Sequence, residues 1–137
     1  MFRARVLAQE DLPVAPVDTT LRGAARGEAI SAYFMRAAEG RRVTVEVLRV
    51  WKGALGARAE VYTPRECCIC GFEFADGGEY LIYAYASGRR PDGRLRTFLC
   101  TRTRAIARAA ADLEALGPGT PPAGGAPADS ASRPPGE

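Results

Sequence analysis

The chain has 137 residues, 47% hydrophobic and 26% charged, with 19 basic against 16 acidic side chains and a formal charge of +3. That composition fits one domain with a single modest core and excludes wholesale disorder, and its arginines stand beside acids rather than clustering as a nucleic-acid footprint requires. With no histidine anywhere, Ser-His-Asp and Cys-His catalysis, His-ligated zinc and the HExxH helix are all excluded, and no stretch reaches the ~18 apolar residues of a membrane span.

The start, "MFRARVLAQEDLPVAP", lacks the basic opening and unbroken apolar run of a signal peptide, so none is expected within the sequence as given. In "FRARVLA", Phe2, Ala4 and Val6 alternate with Arg3 and Arg5, the period of a half-buried first strand. A long connection then reaches "GEAISAYFMRAAEG", where Ile30, Tyr33, Phe34 and Ala37 or Ala38 share one helical face before Gly40. The β-branched "VTVEVLRVW" alternates through Val43, Val45 and Val47 as a second strand, and Trp51 ends it. "ARAEVYT" is a third strand, closed by Pro64, which cannot donate to a ladder.

Beyond the turn "ADGG", "EYLIYAYA" and "LRTFLCT" read as a fourth and a fifth strand, joined as a hairpin by "GRRPDGR". Thr103 is placed to cap a helix through "RAIARAAADLEAL", with Ile106, Leu113 and Leu116 at helical spacing and Gly117-Pro118 as its stop. From Gly117 onward the Pro, Gly, Ala and Ser content is too poor in large apolar groups to offset ordering entropy. The predicted organisation is therefore an all-β domain over 1–116 and an unstructured tail over 117–137. Five strands without βαβ alternation point to a small antiparallel barrel or sandwich; a five-stranded OB-like barrel fits, with a C-terminal helix and a helical insertion between strands one and two.

Between the third and fourth strands lies "CCICGFEF", holding Cys67, Cys68 and Cys70; Cys100 ends the fifth strand. Cys67 and Cys70 form one CxxC, whereas a structural zinc site normally needs two such knuckles, so a four-cysteine zinc site is the weaker reading. A redox CxxC needs a helix after it, and "GFEFADGG" is strand and turn. A disulfide between the cluster and Cys100 would close a loop of about 30 residues and stabilise the fold by roughly 2–4 kcal/mol. Four reduced cysteines, as in a cytosolic protein, remain the bland alternative. The tyrosines Tyr80, Tyr83 and Tyr85 and Trp51 read as packing rather than as a base-stacking platform, and the carboxylates Glu73, Asp76, Asp112 and Glu114 read as solvated, leaving no catalytic constellation.

The ordered series "VTVEVLRVWKG", "VYT", "CGFEF", "GGEYLIYAYA" and "LRTFLC" resembles the tissue inhibitors of metalloproteinases and their bacterial netrin-like relatives, over Phe2 to about Cys100. The resemblance implies an OB-like barrel and a non-enzymatic module, secreted or in the cell envelope, that binds a protein partner such as a metalloprotease and holds no cofactor or metal of its own. In that family an N-terminal Cys-x-Cys is disulfide-bonded to the cysteine of the "CG" and to the one ending the last strand, positions matched by Cys70 and Cys100. By position, Pro64, Arg65, Glu66, Cys67, Cys68 and Ile69 match the loop that braces the inhibitory terminus. The Cys-x-Cys, whose amine and carbonyl chelate the protease zinc, has no counterpart in these residues, so the resemblance implies the scaffold more firmly than inhibition. Cys67 and Cys68 are extra to the pattern and are candidates to replace the missing bonds. A cytosolic OB-fold module binding single-stranded nucleic acid is the alternative from another class.

Overall fold

The computed structural model describes residues 1–65, 71–86 and 94–123. Seven strands form one sheet that curls into a half-barrel, with two helices beside it. They are β1 (Phe2–Asp11), β2 (Arg41–Val50), β3 (Arg58–Thr63), β4 (Glu79–Ile82), β5 (Tyr85–Ala86), β6 (Leu95–Arg96) and β7 (Arg104–Ala105); α1 (Gly23–Ala37) lies between β1 and β2 in the chain, and α2 (Ala110–Leu116) follows β7. The strand order is β5-β6-β3-β2-β1-β4-β7.

The first three strands form where alternation requires them. Phe2, Ala4 and Val6 point inward from β1, Val43, Val45, Val47 and Val50 from β2, and Val61 from β3, and all are buried. The register of β1 on β2 shifts after Arg3 and again after Val6, and such bulges increase local twist and so curl the sheet. On the outer face the alternating charges meet across strands: Arg3 pairs with Glu79 at 2.9 Å, Arg5 with Glu46 at 3.1 Å, Arg41 with Asp11 at 2.8 Å, and Arg42 with Glu10. Such exposed pairs contribute about 0–1 kcal/mol each, so they specify register more than they add stability.

The five expected strands become seven because the last two are interrupted. "EYLIYAYA" divides at Tyr83 and Ala84 into β4 and β5: the Tyr83 N–H donates to the Thr103 hydroxyl at 2.8 Å instead of to a strand. β4 reads as a continuous apolar run because it is covered on both faces, with Tyr80 and Ile82 in the barrel core and Leu81 buried on the other side. "LRTFLCT" keeps only two residues in β6, since Thr97 and Thr101 turn the chain with their hydroxyls. The expected hairpin survives in short form, Tyr85 opposite Arg96 and Ala86 opposite Leu95.

The C-terminal helix is shorter than predicted. Thr103 is not its cap; Arg104 and Ala105 pair with β4, Ile106–Arg108 make one 3-10 turn, and α2 begins at Ala110. Residues 117–123, expected to open the unstructured tail, are docked, while 124–137 lie outside the described residues. Thr120 exchanges two backbone hydrogen bonds of 2.8 Å with Val50, the Trp51 indole N–H donates to the Gly117 carbonyl at 2.9 Å, and the Ala123 N–H donates to the Leu55 carbonyl at 2.6 Å. Gly119 is required here: its φ is +68°, and a Cβ would stand 2.9 Å from the Trp51 ring. Gly119→Ala should loosen this strap at a cost of about 1–3 kcal/mol, and the single tryptophan makes the test direct, as a red shift of its fluorescence in native buffer.

Candidate functional site

Of the loop singled out by resemblance, Pro64 is buried and Arg65 exposed after the end of β3, while Glu66, Cys67, Cys68 and Ile69, with the disulfide candidate Cys70 that follows them, lie outside the described residues. The base of that loop is fixed on both sides. Thr63 is fully buried, and its hydroxyl accepts the Phe72 N–H at 3.0 Å, joining the outgoing strand to the returning chain. Phe72, Phe74 and Tyr80 then stack with ring centroids 4.6 to 5.8 Å apart, and the Tyr80 hydroxyl accepts the Ala75 N–H at 2.7 Å. Gln9 donates to the Phe74 carbonyl at 2.9 Å, and Gly77 and Gly78 exchange hydrogen bonds of 2.9 Å with Val6. The returning segment is thereby pinned to β1.

Cys100 is not on a strand, as the sequence predicts, but exposed in a turn. Under that turn three hydroxyls form a triangle: Thr97 to Thr103 at 2.7 Å, Thr97 to Thr101 at 3.0 Å and Thr101 to Thr103 at 3.1 Å. Thr97 and Thr103 are buried. The Thr101 hydroxyl also donates to the Phe98 carbonyl at 2.7 Å, closing the turn. β6 runs parallel to β3, with Val61 opposite Leu95 and Tyr62 opposite Arg96, so the strand before the cysteine segment and the strand before the Cys100 turn are neighbours running in the same direction.

Two buried charge groups escaped the sequence reading. Asp112, read as solvated, is buried: it accepts from Arg102 at 2.7 Å, lies 3.8 Å from Arg104, and takes a long 3.5 Å hydrogen bond from the Tyr83 hydroxyl. Burial, and then the Asp112 charge, push the Tyr83 phenol above its ordinary range. Glu39, in the corner between α1 and β2, is 5% exposed and lies 2.9 Å from both Arg94 and Arg96. Nothing local announces either partnership. A lone carboxylate beside Gly40 or among alanines is one signal to look for, but its partners are 57 and 10 residues away, Arg96 and Arg102.

Two depressions adjoin on the surface. An apolar cleft of about 500 Å³ opens between Phe2, the 52–55 loop and residues 83–86, and a shallower trough of about 810 Å³ runs over Arg42, Arg58, Tyr62 and Arg94. Leu55 and Leu95 line both. In the trough the Arg94 guanidinium stacks 4.8 Å above the Tyr62 ring. Tyr85, which lines the cleft, is about half exposed, at 49%. Among the described residues no group of three His, Cys, Asp or Glu could hold a metal ion, and no helix is long and apolar enough to cross a membrane. The arrangement offers binding surfaces, an apolar recess and fixed guanidinium groups. No family model, no curated protein and no solved structure matches the chain.

Proposed function

We propose that this chain is a non-enzymatic protein-binding module, an OB-like barrel of the metalloproteinase-inhibitor and netrin-like kind, secreted or held in the cell envelope, which presents residues 64–69 to a protein partner. The OB-like reading draws support from connectivity: β4 and β5 are two halves of one bent segment, the first bonded to β1 and the second to β6, while β3 and β6 run parallel. The observation that carries the function is the parallel run of β3, which leads to the cysteine segment, beside β6, which leads to the Cys100 turn, with Thr63 joining the two ends of the first connection and Thr101 closing the second. A loop held at both ends loses less entropy on binding than a free one.

Two measurements test it. Mass mapping of protein recovered from an oxidising compartment should find Cys100 linked to one of Cys67, Cys68 or Cys70; four free thiols would overturn the secreted, disulfide-bonded reading. Titration of a zinc metalloprotease catalytic domain onto the immobilised chain should give saturable binding weakened by Arg65→Ala and Glu66→Ala, without loss of proteolysis. Absence of binding removes that class of partner.

The second reading, a cytosolic nucleic-acid binder, is favoured by the arginines around Tyr62 in the trough. Arg42 is already engaged by Glu10 and Glu60, and Arg94 by Glu39. We expect no binding of a labelled oligothymidylate at low salt, where such binding would be strongest.

A further inference from the structure

The cleft and the trough adjoin at Leu55 and Leu95, which line both, and make a two-part groove. Each has a volume inside the range of about 300–1,000 Å³ typical of small-molecule sites, and an occupant that spanned both would be longer than a metabolite. The polarity along the groove is ordered. Lys52 stands at the cleft end and Arg58 in the trough; both are exposed, and neither forms an ion pair among the described residues. Between these two cations the walls are Phe2, Leu55, Ala84 and Leu95, and among the described residues no carboxylate lines the cleft. In the trough the only acid among the described lining residues is Glu60, which sits 3.7 Å from Arg42.

We propose that this groove is a second docking surface, whose occupant is an extended peptide segment of a partner protein carrying an acidic residue, an apolar anchor and a second acidic residue in that spatial order. The anchor fills the cleft against Leu55 and Leu95, one carboxylate meets the Lys52 ammonium, and the other is held by the Arg58 fork, a geometry suited to bidentate carboxylate recognition. Burial of the anchor supplies affinity, and the two flanking cations reject basic or neutral sequences. The inference rests on the reading of the chain as a protein-binding module but uses lining residues that do not include Pro64 or Arg65.

Fluorescence polarisation with a fluorescein-labelled peptide of about ten residues alternating Glu and Leu tests it. We expect saturable binding that weakens at least about tenfold in Arg58→Glu, and similarly in Ala54→Trp, where the new ring plugs the cleft from an exposed position without removing a core residue. Peptides with Lys for Glu or Ser for Leu should not bind, and melting curves of both variants should match the parent. No polarisation change with the parent chain, unchanged binding in both variants, or displacement of the peptide by dodecanoate, which would mark a small amphiphile as the occupant, would each overturn the proposal. The same Arg58→Glu protein titrated with the metalloprotease domain separates the two readings. Arg65-dependent binding there, with no peptide binding by the parent chain, leaves the module standing and removes the groove.

Discussion

Glu39→Ala is expected to lower the unfolding free energy by about 3–5 kcal/mol, measured as a drop in the urea midpoint at unchanged slope. Glu39 is 5% exposed and balances two guanidinium groups at 2.9 Å, one of them on the buried Arg96. Removing the carboxylate leaves the Arg96 charge in a low-dielectric setting without its counter-ion, and the desolvation cost of that ion is no longer offset. Arg96 is already poorly served: its Nε and Nη2 make no hydrogen bond, although the Nε lies close to Glu39. Arg96→Met should therefore cost less than Glu39→Ala, because Glu39 keeps Arg94. The double variant Glu39→Leu with Arg96→Met should recover most of the loss, since an apolar pair of similar volume carries no desolvation cost. A double variant less stable than Glu39→Ala alone would refute this account and mark the pair as net stabilising.

Phe2→Ala should cost about 3–5 kcal/mol by the same measurement. Phe2 is 1% exposed, opposite Val50 on one side and Ile82 on the other, so its ring joins the strands that curl the sheet. Its loss removes the transfer free energy of the ring and leaves a cavity that β1, fixed on both edges, cannot collapse into. Against a total of about 5–15 kcal/mol for a domain of this kind, that is at least about a fifth of the stability. Phe2→Leu, which keeps most of the volume, should cost under about 1.5 kcal/mol. Equal losses for the two substitutions would show that the site relaxes freely.

These two residues also mark what the sequence could and could not convey. Phe2, Ala4 and Val6, and the valines of β2, announce themselves by period-2 spacing, because one face meets the core and the other meets water. The pattern is weaker where both faces are covered, as at Tyr80, Leu81 and Ile82, and there the expected strand ran on past Tyr83. It fails where side-chain hydroxyls compete with backbone partners: Thr97, Thr101 and Thr103 turned an expected strand and helix cap into a compact corner. Glu39 with Arg96 and Asp112 with Arg102 depend on chain segments brought together only by folding, so neither carboxylate looked unusual in its local context. Of the candidate site, the sequence named Pro64 to Ile69 and Cys100; Pro64 and Arg65 follow β3, and Cys100 lies in a turn where a strand was expected. The depressions that share Leu55 and Leu95 join residues from at least six separate stretches of chain, from Met1 to Thr101, and have no linear signature.

The threonine triangle beneath Cys100 has a consequence for how that end of the molecule responds to its surroundings. Each of its bonds is oxygen to oxygen or oxygen to nitrogen, and none passes through sulfur. These hydroxyl bonds respond to heat and denaturant, and none of them is itself a redox group. A disulfide of the kind proposed for Cys100 would join a turn whose Thr97, Thr101 and Thr103 bonds it does not consume, so such a tether could be made or released with those bonds intact.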